Sequence, residues 1–358
     1  MTRRPAATGL ALAELLVATA VGLAVSGALV AVVRLAVTSA RTQPEVADLG
    51  QRVRTGVEAI TSRLELAGAG AVAGGGSVPL AQRMAVVYPH RRAAAGGDPP
   101  LSAFDDRVTI YAAADASPVV ALGSPMFSAG DDLFLAPAPG CPLVTPTCHF
   151  ARGDPVIVFD ATGQHDLATV AAVTATTLTP SALLSQAYSP AHAAAVVKAH
   201  LRSLVYDEAR AQVRLTSSSG SNQPLLDEVV RFSVAYLASP FPPAGPRPPP
   251  GTGNCVFDEA GEPRLPELAP TWGGLVALTA ARLSDGPVCG TGRAAFDADL
   301  LRVRALQVTL RLQAASAVYR STDARLFRRP GSATDPRWMV PDQQVTFHVA
   351  LPNLRGTP

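Results

Sequence analysis

One acid interrupts an otherwise apolar stretch. From Leu10 to Val33 the chain runs 24 residues with a single charge, Glu14. A carboxylate in such a segment costs up to roughly 2.5–3.5 kcal/mol at the centre of a membrane helix, so its presence calls for a partner or an interface. The other reactive side chains lie downstream. Cys141, Cys148, Cys255 and Cys289 all follow the apolar run, and an even count in that position suits disulfides in an oxidising compartment. No C-x₂-C pair is present, so the spacing does not suit a structural metal site, and no metal is expected. Of three connectivities, the sequence-local one, Cys141–Cys148 with Cys255–Cys289, is favoured; the other two and unpaired buried thiols remain open.

Catalytic constellations are not evident. His90, His149, His165, His192, His200 and His348 are scattered, with neither H-E-x-x-H nor G-x-S-x-G among them. His149 adjoins Cys148, but a metal site there would lack two ligands. The glycine-rich "AGAGAVAGGG" (67–76) follows a helical pattern and lacks the lysine of a phosphate-binding loop, which makes it a linker. "RGD" (152–154) reads as a turn before a strand, and Asp105–Asp106 as the solvated start of another. The expectation is a non-enzymatic protein without cofactors. A net charge of +2 in 358 residues gives no sign of the basic stripe that nucleic-acid binding leaves. Arg3 and Arg4 supply that excess; beyond residue 9 there are 28 basic and 28 acidic side chains.

The elements that position these residues fall into two kinds. As a helix, the apolar run spans about 36 Å, enough for a bilayer core. Val46, Leu49, Val53, Val57, Ile60 and Leu64 then recur at helical spacing with charged residues between them, which predicts an amphipathic continuation bent near Pro44. Beyond it the alternation is that of strands: "RVTIYAA" (107–113), "DLFLAP" (132–137), "PVIVFD" (155–160), "DLATVAAV" (166–173), a hairpin over 203–217, "VVRFSVAYL" (229–237), "LRVRALQVTLRL" (301–312) and "QQVTFHVAL" (343–351). In the seventh of these, Val303, Ala305, Gln307, Thr309 and Arg311 oppose Leu306, Val308, Leu310 and Leu312. "TWGGLVALTAARL" (271–283) is expected to form a short helix, and residues 239–253 a proline-rich surface loop.

The first residues, MTRRPAATG, are short, basic and end on glycine, and no A-x-A-like cleavage site follows the apolar run closely. Gly9 followed by Leu10-Ala11-Leu12-Ala13-Glu14 resembles the N-terminal signal of type IV prepilins and pseudopilins. The resemblance implies cleavage between Gly9 and Leu10 by a prepilin peptidase and N-methylation of Leu10, where such families usually carry phenylalanine. It also implies that Glu14 pairs with the N-terminal amine of a neighbouring subunit and sets filament register. Four later segments are similar to PilW-type minor pilins: "RTGVEAITSRLELAGAG" (54–70), "ARGDPVIVFDATGQHDLATVAAV" (151–173), residues 204–237, and "LLRVRALQVTLRLQ" with "QQVTFHVALPNL" (300–313, 343–354), with Pro352-Asn353 standing where Arg-Asn is usual.

The expectation is therefore an α+β chain. It comprises a leader (1–9), a transmembrane helix (10–40), an amphipathic helix (41–67), a Gly/Pro-rich linker with a first strand (68–100) and a β-rich exported domain (101–358) on which the pilin-like helix packs. Its implied place is the inner membrane and then a pilus, in assembly, priming or at the tip. Its implied partners are other pilins through the helix, the peptidase and the pilus assembly machinery. A J-class pseudopilin of type II secretion and a membrane-anchored extracytoplasmic binding module are the alternatives.

Overall fold

The computed structural model describes residues 12–69, 80–92, 97–113, 118–218, 220–271 and 273–354. A single helix, α1, runs from Leu12 to Leu64. It joins the two helical patterns of the sequence without a break, with Pro44 inside it. Proline forfeits one backbone bond there, and the helix continues through it. The stretch Glu14–Val33 has a mean hydropathy of 2.4 and none of it is buried. At 1.5 Å per residue its 20 residues match a hydrocarbon core of about 30 Å.

The chain divides into two compact units, one of Met1–Gln51 with Gln313–Asp342, the other of Arg52–Leu312 with Gln343–Pro358. In the first, the segment 313–342 lies along the helix. The Ala315 amide donates to Glu45 Oε1 at 2.8 Å, and the Tyr319 hydroxyl donates to the Arg41 carbonyl at 3.4 Å.

In the second unit, the strands are β1 (Val87–Tyr88), β2 (Arg107–Ala113), β3 (Val120–Ala121), β4 (Leu133–Phe134), β5 (Pro155–Phe159), β6 (His165–Val173), β7 (Thr177–Pro180), β8 (Ala195–Asp207), β9 (Gln212–Ser217), β10 (Asn222–Leu226), β11 (Val229–Ala238), β12 (Val276–Leu278), β13 (Val288–Cys289), β14 (Phe296–Asp297), β15 (Val303–Leu312) and β16 (Gln343–Ala350). The first ten form one sheet with the path β1-β2-β8-β5-β6-β7-β4, to which β3, β9 and β10 attach. The long β8 organises it: residues 195–198 pair with β5 and residues 202–207 with β9, while β2 runs beside 199–205. A second sheet has the order β12-β11-β15-β16, and β13 pairs with β14.

Helix and second sheet meet through small and branched side chains. Ile60 and Leu64 are fully buried. Gly56 is buried too: a Cβ there would lie 2.6 Å from Leu226 Cδ2 and 3.3 Å from Leu310, so the missing side chain sets how closely the helix approaches. Leu306, Val308, Leu310 and Leu312 face this core, as the alternation predicts. The opposite face carries polar pairs, Thr309 with Thr346 at 3.1 Å and Gln307 with His348 at 3.0 Å. In the turn that follows the helix, Gly68 has a φ of +71°, a conformation that favours glycine, and its amide donates to the Tyr111 carbonyl at 2.8 Å. The Asn353 side-chain amide donates to the carbonyls of Glu65 and Ala67 at 3.0 and 3.1 Å, satisfying acceptors in the turn that follows the helix.

Two expectations are corrected. Residues 271–283 do not form a helix: Gly273 and Gly274 take positive φ, and Val276–Leu278 pairs with β11, because that strand has a free edge to complete. Val303 lies in the core with the leucines, not opposite them. The register between β11 and β15 shifts so that Leu237 faces Ala305 while Ala238 faces Val303, and this one-residue bulge at Arg304 turns the strand's start over.

Candidate functional site

Glu14 lies in the first turn of α1, exposed. Residues 14, 18, 22 and 26 recur every four positions, so Glu14 heads a row of Ala18, Gly22 and Ser26, flanked by Val17, Val21 and Val25 on the same face. Nothing lies within 4 Å of where a Cβ on Gly22 would be. Gly9 and Leu10, the expected cleavage pair, fall outside the described residues.

The cysteines are joined in two local pairs. Cys141 bonds Cys148 with Cα atoms 5.7 Å apart, and Cys255 bonds Cys289 at 5.1 Å. The first closes a loop whose Thr147 hydroxyl donates to the Thr174 carbonyl at 2.6 Å, at the turn between β6 and β7. With both sulfurs oxidised, His149 is left without companion ligands in the one His/Cys group found among the described residues; its Nε2 instead sits 2.9 Å from the Pro139 carbonyl.

The remaining sequence candidates have partners within the fold. Asp154 of the RGD turn accepts from the Ala151 amide at 2.7 Å and pairs with Lys198 at 2.6 Å. Gly153 there has a φ of +90°. Asp106 is bidentate with Arg107, and the Asp105 carbonyl receives the Val234 amide.

A buried aromatic and histidine layer had no sequence signal. Tyr88, Tyr111, His165 and Phe296 are at most 1% exposed, with ring centroids 5.1–6.3 Å apart. The Arg92 guanidinium lies over Tyr88 at 4.3 Å and Tyr111 at 5.6 Å, and donates to the Arg293 carbonyl. His165 Nε2 is 3.4 Å from that guanidinium and 3.3 Å from the Tyr88 hydroxyl. Since arginine only donates, Nε2 is the unprotonated nitrogen. Burial, then the Arg92 charge, holds His165 well below the usual imidazole range. The same two causes bring His90 down to about 4, with Nδ1 3.0 Å from the Ser102 carbonyl. The neighbouring hydroxyls, Thr109 and Ser203, bond each other at 2.7 Å, and Thr109 also donates to the His90 carbonyl. Neither is activated by an imidazole in this arrangement. A cavity of about 270 Å³ beside the layer is lined by His90, Arg91, Arg92, Asp98 and Arg293 among others. Asp98, its acid, already binds Arg107 at 2.9 Å and the Arg91 amide at 2.6 Å.

A third cluster holds Asp285, Asp297 and Asp299, with carboxylate oxygens within 4.8 Å of one another. Part of its charge is met from within the fold. Asp299 pairs with the fully buried Arg302 at 2.8 Å, whose guanidinium also donates to the Pro240 and Pro266 carbonyls. Asp297 accepts the Gly286 and Asp299 amides. Burial raises Asp299 to about 6 and Arg302 is lowered by the same cause. The arrangement is an internal ion pair at the base of β15.

Within the described residues, the longest exposed apolar stretch is the helix Glu14–Val33 with its single acid. Comparison with models of known protein families, with curated proteins and with solved structures yields no match.

Proposed function

We propose that the chain is a membrane-anchored minor pilin of the PilW type, acting in assembly, priming or at the tip of a type IV pilus. The observation that carries this reading is the placement of Glu14 at the head of the Ala18–Gly22–Ser26 row on a fully exposed apolar helix. Small residues at every fourth position let helix backbones approach closely in an apolar medium. A carboxylate at the end of such a row then reaches a neighbouring helix start, where a cleaved chain presents its amine. With little competing water, that ion pair favours one axial register over its alternatives. Two disulfides fit a domain exported to an oxidising compartment, and a helix of this length holds it at the inner membrane before assembly. Leader removal between Gly9 and Leu10 by a prepilin peptidase, with methylation of Leu10, completes the reading.

The test is twofold. N-terminal sequencing of protein from membranes should begin at residue 10; a chain still starting at Met1 excludes the reading. Glu14→Ala should be processed normally yet recovered in sheared filaments at about one tenth of the wild-type level or less, as loss of about 1.4 kcal/mol or more implies. Unchanged recovery removes the register role.

A further inference from the structure

We infer that the segment Gln313–Asp342 is a membrane-surface collar, with Trp338 seated among the lipid headgroups of the bilayer that α1 crosses and Tyr319 just above them. The inference rests on the membrane-anchored part of the reading above and not on filament membership.

The argument is one of height along the helix. The apolar span ends at Val33, and its length accounts for the hydrocarbon core. Arg41 lies eight residues further, a rise of about 12 Å. Helical side chains lean toward the N-terminus, here toward the membrane, so the guanidinium comes back by several ångströms. That places it about 6–8 Å above the hydrocarbon edge. The headgroup layer on each side is about 5–8 Å thick. Trp338 lies with its ring 5.2 Å from Arg41 Cζ, and the Tyr319 hydroxyl bonds the Arg41 carbonyl. The Trp338 ring is therefore held at headgroup height, and Tyr319, bonded to the Arg41 backbone itself, sits just above it, about 12 Å beyond the hydrocarbon edge.

The chemistry of the segment fits that location. Trp and Tyr concentrate where an apolar ring and a polar tip meet different media. Val318, beside Tyr319, is 56% exposed, and Val37, one turn before Arg41, is 43% exposed, so apolar surface continues from helix to collar. The segment carries five arginines against three aspartates. Arg337, next to Trp338, bonds Asp335 through its Nε at 3.2 Å and still keeps 67% of its side chain exposed. The backbone that carries them is cross-braced: the amides of Val340, Ser332 and Ala333 donate to the carbonyls of Tyr319, Ala317 and Arg320. The collar thus presents its aromatics on a fixed platform.

Trp272 and Trp338 are the two tryptophans of the chain, so Trp272→Phe leaves Trp338 as the one tryptophan reporter. Full-length Trp272→Phe protein is reconstituted into phosphatidylcholine vesicles with and without a headgroup-spin-labelled phosphatidylcholine, and flotation is recorded beside fluorescence. Floating protein whose Trp338 emission the label lowers about twofold or more supports the collar, as expected for an interfacial aromatic. Floating protein whose emission the label leaves unchanged overturns the collar and leaves the anchor standing. Protein that does not float overturns both.

Discussion

Two apolar runs in this chain end in opposite environments. Val156–Phe159 is at most 2% exposed, whereas the Glu14–Val33 span has none of its length buried. Hydrophobicity alone does not separate them; the backbone does. A helix closes its own hydrogen bonds, so its apolar side chains can face lipid or another helix with no polar group left open. The β5 strand borrows its partners from β6 and β8, and those neighbours bring the side chains that cover it. The helix is left for an outside medium to solvate, while the strand is solvated by the fold itself.

Matched truncations test that contrast most strongly. Ile157→Ala should destabilise the β-rich unit by about 2–5 kcal/mol, the range for deleting a fully buried branched side chain. Leu23→Ala, at a site 74% exposed, should shift its unfolding by less than about 0.5 kcal/mol. Urea unfolding of the full chain in detergent, followed by near-ultraviolet circular dichroism, measures both. Comparable losses would mean that the helix packs on the domain in solution and would break the comparison.

What the residues disclosed in advance follows the same division. The apolar span, the stripe ending at Leu64 and the alternation of Leu306 to Leu312 are periodic, and periodicity survives whatever the rest of the chain does. The bulge at Arg304 has no local signature: Val303 turns inward only because Ala238 opposes it across the sheet. "GLVALTAARL" has helical composition, yet β11 offers an open edge and two positive-φ glycines bring Val276 to it. Tyr88, His165 and Phe296 are brought together from three distant segments, so no spacing could announce the layer. Glu14 was legible as the lone charge in its apolar run, and the Ala18–Gly22–Ser26 row beneath it follows once the helix is in place, because residues four apart on one helix are neighbours.

Acid sharpens the contrast within the buried groups. His90 falls to about 4 in the fold against an ordinary value of 6.5. The unfolded chain therefore binds more protons between those values, and stability is lost as pH falls from 6.5 toward 4. Asp299 rises to about 6 from 3.8, so its contribution has the opposite sign: the folded chain binds the extra proton, and this group favours folding as pH falls through 6. His90→Asn, whose amide can still donate to the Ser102 carbonyl, should remove an acid-linked loss of about 3 kcal/mol. Asp299→Asn should steepen the acid loss instead. Stability measured against pH for both variants must give slopes that depart from wild type in opposite directions. Parallel changes would show that burial does not govern both groups.

The smallest expected effect separates the two disulfides. Cys141–Cys148 closes seven residues of chain and Cys255–Cys289 closes 34. If each acts by limiting the unfolded ensemble, chain-closure entropy gives about 2.3 kcal/mol for the short loop and about 3.8 for the long one. Replacing both cysteines of the longer loop by alanine should therefore cost about 1.4 kcal/mol more than replacing those of the shorter, read from denaturation midpoints at equal slope. Burial widens the gap in the same direction, since Cys289 is 1% exposed while Cys148 is exposed. Equal losses would place the worth of the Cys141–Cys148 loop in its native contacts, above all the Thr147 bond to the β6–β7 turn, and Thr147→Val would then reproduce most of the disulfide's removal.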